Sequence, residues 1–131
     1  MKQLKLTFGG QSFYADLLED KAPEICSALI KAAPFQSYWF VAKICDNEVC
    51  FRAPFVWEAV ENLVFNKPGD IGWFDTRQLI CVWYNDMVPL GCTSKFAQFS
   101  PQENARFLPF ADAMWEKPGE LVTVEVVEKE A

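Results

Sequence analysis

The chain contains no histidine, and that absence removes more chemistry than any single residue present adds. It rules out Ser-His-Asp and Cys-His nucleophilic pairs, His-based zinc sites and an imidazole general base. Any catalysis falls to Asp, Glu, Lys, Tyr, Cys, Arg or backbone groups. A basic stripe is also missing. Acidic and basic residues are mixed along a chain of formal net charge −6, with an acidic bias from Glu116 to Glu130, so nucleic acid is not an expected partner. No apolar run is long enough for a secretory leader or a membrane span. A cytoplasmic location and no membrane partner are therefore expected. Repeats, low-complexity tracts and linkers are absent too.

What is present suits one packed domain over residues 1–131. A chain of this length buries roughly two thirds of its unfolded surface. With 51% hydrophobic residues, among them twelve Phe and five Trp, it can build a core without staples. Cysteine occurs at Cys26, Cys45, Cys50, Cys81 and Cys92. An odd count with no secretory signal predicts reduced thiols.

The local pattern is mostly of short strands. "LKLTFGGQSFYADLL" (4–18) alternates around Gly9-Gly10 and predicts a hairpin. A helix follows, with Asp20 as cap, Pro23 near the first turn, Ile25, Leu29 and Ala33 on one face that Cys26 and Ile30 widen, and Pro34 as the stop. "QSYWFVAKICDNEVCFRAPF" (36–55) predicts a second hairpin. A two-residue turn at Asp46-Asn47 pairs Ile44 with Val49, Ala42 with Phe51 and Phe40 with Ala53. That register makes one face wholly apolar and sets Val41, Lys43, Cys45, Glu48, Cys50 and Arg52 on the other. "APFVWEAVEN" (53–62) is a short helix or an irregular crossing. "DIGWF" (70–74), "QLICVWYN" (78–85) and "SKFAQF" (94–99) predict strands, the middle one covered on both sides. "SPQE" (100–103) is a capping box opening a helix that Pro109 limits or restarts. "ELVTVEVVE" (120–128) is a last strand with Val122, Val124 and Val126 on one face. Many strands, two helices and regular turns predict a mainly β, closed or nearly closed barrel.

Hairpin, helix, hairpin, crossing, two strands, strand, helix and final strand is an order that resembles the cyclophilin fold. More narrowly it resembles the small bacterial cyclophilin-like domains of unknown function. The resemblance rests on "FGGQSFYADLLEDKAPEIC" (8–26), "ENLVFNKPGDIGWF" (61–74), "LICVWYND" (79–86) and "SKFAQF" (94–99). It spans nearly the whole chain and implies a closed barrel with two helices capping its ends. In prolyl isomerases of this fold one barrel strand carries a catalytic arginine. "VCFRAPF" (49–55) looks like that strand and places Arg52 at the arginine, while "RQLICV" (77–82) places Gln78 at a site-lining glutamine. The Phe-Met-x-Gln stretch that should follow has no counterpart in "VWEAVENL" (56–63), Trp73-Phe74 replaces a Met-Ala-Asn segment, and the family's histidine is missing. Prolyl isomerisation thus ranks low, because the apolar proline pocket beside the arginine is dismantled.

The candidate site residues follow. Arg52 is either a surface arginine stacked on wall aromatics or a guanidinium fork for a carboxylate or carbonyl, with Lys43 adding positive potential on the same face. Glu61 is either a helix-end or turn residue or a general base, and Asn62 and Gln78 are candidate anchors. Trp73, Trp83 and Tyr84 are core, or one of them is a flat surface for a ring. Asp70, after Pro-Gly, is expected in a turn. Cys45-x4-Cys50 lacks zinc-knuckle spacing and a second ligand pair, so no metal and no cofactor are implied. A nucleophilic Cys50, its pKa lowered by Lys43 and Arg52, is a lesser alternative to a structural thiol. Two functions stand side by side: a wall site for a small acid or cyclic amide, with or without isomerase or hydrolase chemistry, and a protein-interaction or oligomer module, such as a homodimer.

Overall fold

The structure is a computed structural model and describes residues 1–88 and 91–130. The strands are β1 (Lys2–Phe8), β2 (Gln11–Leu17), β3 (Phe35–Val41), β4 (Asp46–Phe51), β5 (Leu63–Val64), β6 (Asp70–Phe74), β7 (Leu79–Met87), β8 (Thr93–Gln98) and β9 (Glu120–Glu128). The helices are α1 (Pro23–Ala32) and α2 (Pro101–Ala113). Eight strands close antiparallel in the order β1-β2-β8-β6-β7-β4-β3-β9 and back to β1, and β5 is a two-residue edge on β8. Closure comes where β2 meets β8, Asp16 opposite Gln98 and Leu17 opposite Ala97. A closed barrel leaves few strand edges unpaired, as the sequence predicts.

Each wall strand buries alternate residues, since side chains alternate across a strand. Leu4, Leu6, Phe8, Phe13, Ala15, Val122 and Val124 point into the core. The barrel is filled largely by aromatic rings, and Phe107 of α2 sits 4.9 Å from Phe13 and 5.1 Å from Phe99. From α1, Ile25, Cys26 and Leu29 enter the same core. β7 is covered on both sides as expected. Ile80, Val82 and Tyr84 face the core, while Leu79, Cys81 and Trp83 join a smaller cluster outside it.

Several local expectations are corrected. The β3–β4 register is Trp39 to Phe51, Phe40 to Cys50 and Val41 to Val49, not the one set by a two-residue turn. A 3-10 turn at Lys43–Cys45 and a positive φ at Asp46 lengthen the connection and leave Ile44 exposed. The shift turns β3 over, so Trp39 fills the core and Phe40 faces out. β4 keeps the predicted faces, with Val49 and Phe51 inside. Segment 53–62 is an irregular crossing. The N-cap of α1 is Ala22, without a side-chain bond, and not Asp20. In the predicted capping box Ser100 does accept the Glu103 N–H, at 3.1 Å, but Glu103 binds the Tyr14 N–H and Arg106 in place of reaching back. Pro109 neither ends nor restarts α2. A proline inside a helix costs about 3 kcal/mol, which burial of Phe107, Ala111 and the following Met114 on either side offsets.

Candidate functional site

The predicted site residues fall at two ends of the barrel. At one end the chain leaves β4 through Arg52 and crosses irregularly to β5. Gln78, at φ 55°, precedes β7 and turns its amide into that crossing. Its Oε1 accepts the Trp57 N–H at 2.9 Å, and its Nε2 donates to the carbonyls of Trp57 at 2.6 Å and Asp75 at 2.7 Å. The buried Trp73 indole N–H donates to the same Trp57 carbonyl at 3.0 Å, and the Trp73 ring stacks on Phe55 at 5.2 Å and 22°. Arg52 lies above this pinned loop, exposed. Among the described residues its Nη1 reaches only the carbonyls of Arg77 and Gln78, both at a long 3.4 Å.

Around the rim the row continues through Ser94, which pairs with Trp73 across β6 and β8. The Ser94 hydroxyl accepts the Glu61 N–H at 3.0 Å, and the Asn62 amide donates to the Lys95 carbonyl at 2.9 Å. Arg52, Gln78, Trp73, Glu61 and Asn62 therefore lie along one rim. The Glu61 carboxylate, however, turns to the start of α1. It accepts the N–H groups of Glu24 at 3.1 Å and Ile25 at 2.8 Å, supplying the cap that Ala22 lacks and matching the helix dipole. Asp70 holds a turn as expected, its Oδ2 accepting the Lys67 N–H, and it also pairs with Lys95 at 2.9 Å.

Lys43 and Tyr84 sit elsewhere. Tyr84 is buried, and its hydroxyl accepts the Trp115 indole N–H at 2.9 Å. Burial pushes its phenol up to about 12. The Lys43 ammonium lies over the Trp115 ring, 5.0 Å from the centroid. Lys43 is in the turn before β4 and Arg52 just beyond it, so the strand's length separates them, about 17 Å by the usual rise. They do not share a site.

The crossing and the chain just after it, through β5 to Phe65, are unusually apolar for exposed chain. Val56 is 75% exposed and Phe65 67%, with Val60 and Leu63 each about half exposed. A larger open cleft of about 650 Å³ lies over β1 and β2 beside the start of α2, and it contains none of the predicted residues. Several of its charged residues are engaged within the protein. Lys129 pairs with Asp16 at 3.3 Å and Lys5 with Glu125 at 3.8 Å.

Sequence reasoning misses one arrangement. Cys50 and Cys81 stand opposite each other on β4 and β7, their sulfurs 3.4 Å apart, and the Cys50 thiol donates to the buried Glu48 carboxylate at 3.2 Å. A nucleophilic Cys50 is not what this makes. The Cys81 contact lowers its pKa, but burial and Glu48 outweigh it and the thiol is raised. Burial and the Cys50 contact raise Cys81 well above the usual thiol value, and burial with Glu48 pushes Cys45 up to about 12. The signal in the sequence is that Glu48, Cys50 and Cys81 occupy outward positions of two strands that pair.

No family model matches the sequence, and no curated protein matches it. Among solved structures the fold is similar to McbB, solved in complex with tryptophan, with a TM-score of 0.79 at 17% identity. That match covers all of this chain but 46% of the McbB chain, so the chain spans less than half of that protein. It is also similar to the hypothetical protein AF2241 from Archaeoglobus fulgidus, with a TM-score of 0.68 at 20% identity over 94% of this chain and 92% of that one. These likenesses show a shared barrel fold.

Proposed function

We propose that this chain is a cyclophilin-like barrel whose Arg52 rim seats a small anionic or cyclic-amide ligand. The observation that carries the reading is an exposed guanidinium, bound among the described residues by two long contacts to carbonyls, beside the exposed apolar crossing. A planar fork of donors next to apolar surface suits a carboxylate or lactam on a hydrophobic body. Gln78 and Asn62 support the seat by holding the backbone of the crossing, and Trp73 with Phe55 forms its rigid base. Lys43 and Tyr84, at the other end, would take no part. Binding without a chemical step is favoured over isomerase or hydrolase chemistry, because Glu61, the candidate base, is engaged at the start of α1. Prolyl isomerisation stays the weakest reading, since the aromatic and histidine positions of that pocket have no counterpart. The tryptophan in McbB is a ligand of the right kind, a carboxylate on an apolar ring, and supports the size class.

A second reading has its own observation. Tyr38, Phe40 and Leu121 are exposed on neighbouring strands β3 and β9, with Tyr38 directly opposite Leu121. That patch suits a second copy of the chain. Both readings meet one experiment: a thermal-shift screen of small carboxylates, tryptophan among them, and lactams, with size-exclusion chromatography alongside. We expect a stabilising ligand whose affinity falls at least about tenfold in Arg52→Ala, as for a lost charge-assisted hydrogen bond. A tight dimer with no ligand response, or a response unchanged in the variant, overturns the ligand reading.

A further inference from the structure

The outer face of the β4–β7 pair carries a buried cluster of two thiols and a carboxyl group, apart from the Arg52 rim. Glu48 and Cys50 alternate on β4 and so share a face, and Cys81 faces Cys50 across the sheet. All three are buried, with 2% of Glu48, 1% of Cys50 and none of Cys81 exposed. A register shift between Asp46 and Glu48 sets the start of this row, as bulges do where a side chain is re-aimed. Cys45, in the preceding turn, is also buried. Leu79, Trp83, Phe74 and Met87 close over the group.

We propose that Glu48, Cys50 and Cys81 form a binding site for a thiolate-preferring divalent cation of the zinc class, with the fourth position left to solvent. Among the described residues the ligand atoms of the three lie within 4.8 Å of one another. Two of the spacings are 3.4 Å between the sulfurs and 3.2 Å from Cys50 Sγ to the Glu48 oxygen. A tetrahedral zinc site with ordinary Zn–S and Zn–O bonds needs ligand atoms about 3.5–3.8 Å apart, so small side-chain adjustments suffice. The donor set also selects the ion. Thiolates disfavour magnesium and calcium, and the carboxylate disfavours copper(I) relative to zinc.

The competing use of the same sulfurs is a Cys50–Cys81 disulfide. Glu48 argues against it. Its carboxylate takes the Cys50 S–H as donor, and oxidation would remove that donor and leave a buried carboxylate without it. A cation satisfies the carboxylate and both sulfurs together. On binding, each ligating thiol gives up its proton to solvent and the metal keeps its oxidation state.

The test is titration of the reduced, folded protein with cobalt(II) under anaerobic conditions, followed by zinc. One equivalent of cobalt should give the intense near-ultraviolet thiolate charge-transfer band and the visible bands of a tetrahedral site. Zinc should displace it and raise the melting temperature. Cys81→Ser should abolish the charge-transfer band, Glu48→Gln should weaken binding by more than about tenfold, and Cys92→Ser should change nothing. Circular dichroism of each variant checks that it folds. Because the wild-type titration is decisive alone, a poorly folded variant does not protect the proposal. No tetrahedral spectrum in wild type, or one that survives in a folded Cys50→Ser or Cys81→Ser variant, overturns it. So does a Cys50–Cys81 disulfide that forms readily in a protein whose reduced form binds no cobalt.

Discussion

The Glu61 carboxylate is the residue whose role changes most between chain and fold. Its reading in the sequence leaves a helix-end or turn role open beside a general base. Its position makes it the cap of a helix whose own N-cap residue, Ala22, has no side chain for the task. Losing a capping side chain costs about 1 kcal/mol, within a range of roughly 0.5–2. Glu61→Ala should therefore lower unfolding stability by about that amount, read as a lower urea midpoint with an unchanged slope. A variant as stable as wild type would show that the two N–H groups find other partners. Gln78 behaves alike. Both residues were legible as polar positions of interest, but not the direction they face, because their partners lie 37 and 21 residues away in the chain.

At the scale of elements, β6 carries the tightest constraint. A Cβ at Gly72 would overlap the Thr93 hydroxyl oxygen on the adjacent β8 and come within 3.1 Å of Thr93 Cβ. Thr93 is fully buried and its hydroxyl donates to Asn66 at 2.8 Å, so it has little room to yield. Overpacking of this kind costs about 1–3 kcal/mol, and Gly72→Ala should destabilise by that much. Paired with Thr93→Ala in a double-mutant cycle, the loss should be smaller than the sum of the singles; strict additivity would mean that the two positions do not press on each other. The strands themselves were readable, since β6 falls on the predicted 70–74 and β9 on 120–128. The β3–β4 register was not. Two-fold alternation ranks registers by face, but the length of the connecting turn decides between them.

For the whole molecule, acid stability is the measurable consequence of how α2 is tied to the wall. Glu103 binds Arg106 at 2.9 Å and accepts the Tyr14 N–H of β2 at 2.8 Å. The Arg106 hydrogen bond is the largest cause, and burial, which opposes it, is outweighed, so the Glu103 pKa is lowered. The unfolded chain has the ordinary glutamate value of about 4.3. Below it the unfolded state binds the proton first. This contribution is therefore complete above the unfolded value and is lost as pH falls through the lower folded one. Urea unfolding measured across acidic pH should show wild-type stability falling below about pH 4.3, and Glu103→Gln should show a shallower fall. Equal slopes would mean that Glu103 contributes nothing to the acid transition.

The sequence by itself determined the order of elements, the closed barrel and most of the buried faces. Those features rest on local periodicity and the count of strands, and burying Leu4, Leu6 or Val124 settles the faces of β1 and β9, though not of β3. Only the tertiary structure decided what the polar and sulfur-bearing residues do. Cys50 meets Cys81 because β4 pairs with β7 in one register, Lys43 parts from Arg52 because a strand lies between them, and Glu61 reaches α1 because the crossing ends beside it. Hydrophobic burial is specified residue by residue along the chain. A pairwise contact between distant residues depends on turn lengths and register, which no single stretch of sequence contains.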